Sequence, residues 1–195
     1  MPNPIGNFSS NATRMPFGKP GQPVQCVSDT KYSTKTFAIG VAGSTTDFFT
    51  TAPVADRTLD NYDAGNQLVT SGKAFVIQGI TVNVVSTSIA DVNAFIQLGI
   101  LVLTAQGKEI GAFRLRNLSA GGGTFVAGAQ VAAASSVGVI NGLPQSDVFR
   151  VAELMLATNQ SFKATVIMPT TTTYTVIAAT TVEVGLLGYE IRPVA

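Results

Sequence analysis

Leu101-Val102-Leu103-Thr104-Ala105-Gln106-Gly107-Lys108-Glu109-Ile110-Gly111 reads as an antiparallel hairpin. Gly107 supplies the positive φ that a tight reversal needs, and Ala105-Gln106-Gly107-Lys108 separates two runs of strand-forming residues. The pattern predicts one strand over Ala94 to Thr104 and its partner over Glu109 to Leu118. The first is apolar on both faces, with Ile96, Leu98, Ile100 and Val102 pointing one way and Phe95, Leu101 and Leu103 the other. Such a strand should be covered on both sides. Its partner alternates Gly111, Phe113 and Leu115 against Ala112, Arg114 and Arg116, which turns one face to water or to another subunit.

Outward from this hairpin the same texture continues: short runs rich in Val, Ile, Thr and Phe, separated by turn residues. Strands are expected near Val24 to Ser28, Thr36 to Val41, Asp47 to Thr51, Ala74 to Val85, Thr124 to Ala132, Asp147 to Ala152, Ser161 to Met168, Thr173 to Ala178 and Thr181 to Arg192. Within Phe75-Val76-Ile77-Gln78-Gly79-Ile80-Thr81-Val82-Asn83-Val84 the apolar phase slips at Gln78-Gly79, as a β-bulge would cause. Helical spacing is nearly absent. Arg150 to Thr158 reads as a short helix or a strand, and Ser119 to Ser136, with its small side chains, as a long loop or a weak edge strand. So many strands imply two packed sheets and an all-β fold.

Five of the nine prolines (Pro2, Pro4, Pro16, Pro20 and Pro23) precede residue 24, so residues 1–23 cannot form a central strand or a helix. They are expected to form an extended arm whose Phe8, Met15 and Phe17 contact a neighbouring subunit or an underlying membrane. A merely disordered tail is the other reading. Residues 24–195 then form a single domain, which suits a chain of 195 residues.

Charged residues are only 12% of the chain against a typical value of roughly 25%, and hydrophobic residues reach 46%. Water-facing surface is under-supplied for a monomer, which points to surface covered by other chains. No apolar run is long enough for a membrane-spanning helix. Met1-Pro2-Asn3-Pro4 lacks the positive start and apolar centre of a secretory signal, so cytoplasmic synthesis is expected. A net charge of +1 with scattered signs argues against a dedicated nucleic-acid face.

The chain contains no histidine, which removes Ser-His and Cys-His pairs, histidine bases and nearly every zinc site. No enzymatic activity, cofactor or small-molecule substrate is expected. Asp60, Asp63 and Asn66 in the segment Asp60-Asn61-Tyr62-Asp63-Ala64-Gly65-Asn66 are the candidate oxygen ligands for a cation, although they lack the ligand order of an EF-hand and an ordinary turn explains the spacing. Asp60 and Asp63 also lie close enough in sequence to form a carboxylate pair, although any turn shows that spacing. Cys26, in an alternating run, reads as a small buried hydrophobe. Gly121-Gly122-Gly123 lacks the Lys-Ser/Thr of a phosphate-binding loop.

Three features together resemble the jelly-roll capsid proteins of icosahedral viruses, most of all the single-jelly-roll coat proteins of membrane-containing bacterial or archaeal viruses. They are the proline-rich arm, the pair of Gly72 to Ile80 with Leu101 to Gly111, and the closing strand Val182 to Pro193. The resemblance covers roughly residues 67 to 193. It implies a jelly-roll β-sandwich of two four-stranded antiparallel sheets, no cofactor and no catalytic residues. It also implies a virion location, with copies of the chain, other capsid proteins and an internal membrane as partners. A minor virion protein (a penton, spike base or decoration) and a non-viral β-sandwich binding module are the alternatives. With no Trp, and only Tyr32, Tyr62, Tyr174 and Tyr189, a sugar-stacking platform is thinly supplied.

Overall fold

In the described residues, 24–53, 58–70, 72–118, 149–168 and 174–193 of this computed structural model, strands dominate. In chain order they are β1 (Val24–Phe37), β2 (Thr45–Phe48), β3 (Asp60–Asn61), β4 (Ala74–Val85), β5 (Ile100–Ala105), β6 (Lys108–Arg114), β7 (Phe149–Leu156), β8 (Phe162–Ile167) and β9 (Thr180–Pro193), with one α-helix, α1 (Ile89–Leu98), between β4 and β5. Two antiparallel sheets result, ordered β3-β1-β9-β4-β7 and β2-β8-β5-β6. The fold is all-β, as expected.

β4 occupies the predicted residues, and the register slip falls where the apolar phase breaks. Ile77 pairs with Gly188 and Gly79 with Leu187, leaving Gln78 exposed. Phe75 and Ile77 before the slip, and Ile80, Val82 and Val84 after it, all enter the core. The β5–β6 reversal has positive φ at both Gln106 (50°) and Gly107 (73°), the mirror-image turn whose twist matches the strands it joins. The partner strand, expected from Glu109 to Leu118, ends at Arg114: Leu115–Asn117 form a 3-10 turn in which Leu115 is buried and Arg116 exposed.

Four expectations are corrected. The run Ala94 to Thr104 is not one strand: its first part is the end of α1, and β5 begins only at Ile100. Ser88 caps the helix by accepting from the Asp91 N–H at 3.2 Å, and the Gly99 N–H closes it on the Phe95 carbonyl at 2.9 Å. Val92, Phe95 and Ile96, spaced for one helical face, seal one end of the sandwich, with the Phe95 ring edge-on to Phe37 at 4.7 Å. Second, Val24 to Ser28 and Thr36 to Val41 are not separate strands. β1 runs unbroken through Phe37 because its inward polar residues Lys31 and Ser33 find buried partners. Third, the expected strand Thr173 to Ala178 does not form. Its described part, Tyr174 to Ala178, makes one isolated bridge, Thr175 with Ala42, and the amides of Ile177 and Ala178 turn to a side chain instead of a neighbouring strand. Fourth, Cys26 is exposed, because inward positions of β1 are the odd-numbered ones.

Arg150 to Thr158 resolves as strand, within and just beyond β7. The expected strand Thr124 to Ala132, the loop reading of Ser119 to Ser136 and the arm residues Phe8, Met15 and Phe17 lie outside the described residues.

Leaving the two-residue β3 aside, the pairings nest: β1 with β9, β2 with β8, β4 with β7 and β5 with β6. The interior between the sheets is filled by Phe48, Phe49, Phe75, Leu101, Phe162 and Leu186, all fully buried.

Candidate functional site

The registers put the four connections β1–β2, β4–β5, β6–β7 and β8–β9 at one end of the sandwich. Phe37 pairs with Thr180 and Val85 with Thr181 in the first sheet, while Thr45 and Ile100 both pair with Ile167 in the second. The opposite end carries the segment 60–70, the β5–β6 turn and the β7–β8 connection. The two ends differ in chemistry.

At the end holding residues 60–70, ionic groups are concentrated. The buried Lys31 ammonium lies 2.9 Å from Asp29, 3.6 Å from Glu190 and 3.7 Å from Asp63, and 5.9 Å above the Phe75 ring. Lys73 adds contacts of 3.5 Å to Asp63 and 3.4 Å to Glu190. Burial pushes the Asp63 carboxyl up, but the Thr70 amide and the two lysines outweigh it and hold it below the ordinary aspartate range. The structure does not bring the three candidate ligands to one point. Asp60 accepts from the Ser33 hydroxyl at 2.7 Å, and Ser33 in turn accepts from the Phe49 amide. Asp63 serves the lysines and Thr70. Asn66 takes a left-handed turn conformation (φ 61°), donating its amide to Phe49 O and accepting from Phe162 N–H. Among the described residues no group of three or more His, Cys, Asp or Glu is placed to hold a metal ion. A shallow cleft of about 230 Å³ lies beside Asn66, lined also by Thr104, Ser161 and Lys163, and Lys163 is paired with Asp47 at 3.2 Å. These carboxylates are committed to fixed donors, which suits them to holding the loop and not to proton transfer.

The helix end is apolar and bare of charge over most of its width. No charged residue occurs between Lys35 and Asp47 or between Lys163 and Glu183, and the β4–β5 connection contains only Asp91, which is fully buried. Ile39 and Ile177 stand out here, 67% and 60% exposed. The backbone that carries them is pinned: Gly40 N–H donates to Val176 O at 2.9 Å and Val176 N–H to Val41 O at 3.1 Å. The amides of Ile177 and Ala178 donate to the Asp91 carboxylate at 2.9 and 2.7 Å, and the Tyr174 hydroxyl donates to it as well. Arg114 and Arg116 are exposed at the β6 margin, the far edge of the second sheet from β2 and β8.

Sequence reasoning passed over Ile39, Ile177 and Asp91. The spacing Ser88-Ile89-Ala90-Asp91 before an apolar run is a helix-start signal that would have located Asp91. Nothing local marks the two isoleucines, since exposure depends on what the rest of the chain leaves uncovered. Among the described residues no helix is long and apolar enough to cross a membrane. No protein-family model matches this chain, and no curated protein sequence matches it.

Proposed function

We propose that this protein is a structural virion protein, a major capsid protein that assembles with copies of itself into an icosahedral shell. The nested strand pairing supports the finer reading of the sandwich as a jelly roll: apart from β3, each strand counted from the start of the domain pairs with the one counted from its end, as in a long hairpin wrapped into two four-stranded sheets. Fold alone does not carry a function. The observation that carries this one is the pinned, charge-free part of the helix end that displays Ile39 and Ile177.

A rigid backbone that holds two isoleucines in water has already lost the conformational freedom that docking would cost. Covering each contributes about 2 kcal/mol at roughly 25 cal/mol per Å². A surface without charge offers nothing to a polyanion, whereas two copies meet there without like-charge repulsion at a net charge of only +1. Many such weak contacts suit a closed shell, where they act together. Other capsid proteins and an internal membrane are further partners on this reading, with the 1–23 arm as an additional contact.

The test is Ile39→Asp with Ile177→Asp. The double variant should keep the wild-type circular dichroism and melting temperature while particles disappear from electron micrographs and sedimentation shows monomer. A wild-type chain that stays monomeric at every concentration would refute the assembly reading. Gel densitometry of virions then separates a coat protein, the most abundant band, from a scarce vertex protein.

A further inference from the structure

Glu183 sits in β9 between Val182 and Val184, both fully buried in the core, so its own side chain projects from the opposite face of the first sheet. Directly across from it stand Thr34 on β1 and Asn83 on β4. The Thr34 side chain hydrogen-bonds the Glu183 carboxyl. On the other flank the Asn83 Oδ1 is buried without a hydrogen-bond partner among the described residues. A buried acceptor left in this state destabilises the fold.

As its amide is oriented, the Asn83 oxygen lacks a donor among the described residues. An ionised carboxylate and a carboxamide oxygen are both acceptors, so an anionic Glu183 cannot satisfy Asn83 Oδ1. A neutral carboxylic acid can, because it carries one O–H. We propose that Glu183 is a proton-operated latch across the centre of the first sheet: when neutral it donates its O–H to Asn83 Oδ1 and joins β9 to β4, and when ionised it releases that bond. The device belongs to the fold and does not depend on the assembly reading.

The surroundings favour the neutral form. Among the described residues, those on this face beside Glu183 are Tyr32, Thr34 and Thr36 on β1, Thr81, Asn83 and Val85 on β4, and Thr181 and Gly185 on β9. Tyr32 is the one titratable group among them, and none is charged at neutral pH. Lys35, next to Thr34, lies on the opposite face of the strand, where its ammonium donates to Thr51 at 3.1 Å. In the described residues the pairing of β7 with β4 stops at Ile80, short of Asn83. Burial pushes the Glu183 carboxyl up from 4.5, opposed only by the Thr34 hydrogen bond. For an acid whose native value is raised, the stabilisation is complete below the ordinary value of 4.5 and is lost as pH rises through the native one.

Carbon-13 NMR of the full chain labelled at glutamate carboxyls tests this. The Glu183 signal should titrate above 4.5, and Asn83→Leu, which removes the acceptor but not the burial, should move that midpoint down. A wild-type midpoint at or below 4.5 overturns the proposal, as does a midpoint that Asn83→Leu leaves unmoved or raises. Glu183→Gln supplies an amide donor at every pH. Its melting temperature should therefore exceed that of wild type at pH 7 and match it at pH 4, and an equal deficit at both pH values would also overturn it.

Discussion

Asp91 and Tyr174 stand 83 residues apart in the chain, yet the tyrosine hydroxyl donates to the aspartate carboxylate inside the fold. Together with the amides of Ile177 and Ala178, this bond ties the first turn of α1 to the segment that feeds β9. One side chain thereby adds to the backbone bonds that pin the helix end of the sandwich.

Asp91→Ala removes the acceptor of two backbone amides and one hydroxyl. At about 1–3 kcal/mol for each donor left unsatisfied, a total loss of at least about 3 kcal/mol is expected, measured by urea unfolding. Burial pushes the Asp91 carboxyl up, but the donors from Ile177, Tyr174 and Ala178 prevail and hold it below its ordinary value of 3.8. Its contribution is thus present above 3.8 and lost as pH falls through the lowered native value. Asp91→Asn should flatten the drop in melting temperature between pH 5 and pH 3.

Lys31→Met leaves Asp29 facing an uncharged side chain and Asp63 and Glu190 with Lys73 as their remaining cation. Breaking a buried ionic group in this way costs about 3–5 kcal/mol. Adding Glu190→Gln should recover part of that loss, which a double-mutant cycle in urea would show as coupling. Lys163→Met is the control: its pair with Asp47 is 41% and 39% exposed, and its removal should cost under about 1 kcal/mol.

Why β4 was legible and β1 was not follows from where each strand's partners lie. β4 buries Ile80, Val82 and Val84 on one side, so its period of two is written in its own residues, and the slip at Gln78-Gly79 is visible as a break in that period. The inward positions of β1 include Lys31 and Ser33, which look like loop residues until Glu190 and Asp60 arrive from far along the chain. The helix was hidden differently. Its apolar face runs straight into Leu101 and Leu103 of β5, and Gly99 is the only break; a Cβ there would lie 2.5 Å from the Phe95 carbonyl oxygen. The candidate ligands Asp60, Asp63 and Asn66 were legible as a turn, while their actual partners were not, since those sit on β1, β8 and the residues flanking β2 and β4.

Two glycines of β9 should respond differently to substitution. A Cβ on Gly185 would fall 2.4 Å from the Thr81 hydroxyl oxygen, the end of a side chain that can be removed. A Cβ on Gly188 would fall 1.8 Å from the Val76 carbonyl oxygen, which is backbone at the bulge. Gly185→Ala should therefore lower the urea midpoint and Thr81→Ala should restore much of it. Gly188→Ala should be the more damaging, with no single side-chain deletion in β4 restoring it.

The nesting of β1 with β9 sets an order of events on the ribosome. β9 lies between β1 and β4, so those two strands wait with their inner edges open for a segment that is translated after every other strand described. Pairing residues 24 and 193 closes the longest loop in the sheet, and such closures are slow relative to local hairpins such as β5–β6. The sheet is completed only once β9 has been made, and until then each nascent chain exposes edges that a neighbouring nascent chain could pair with.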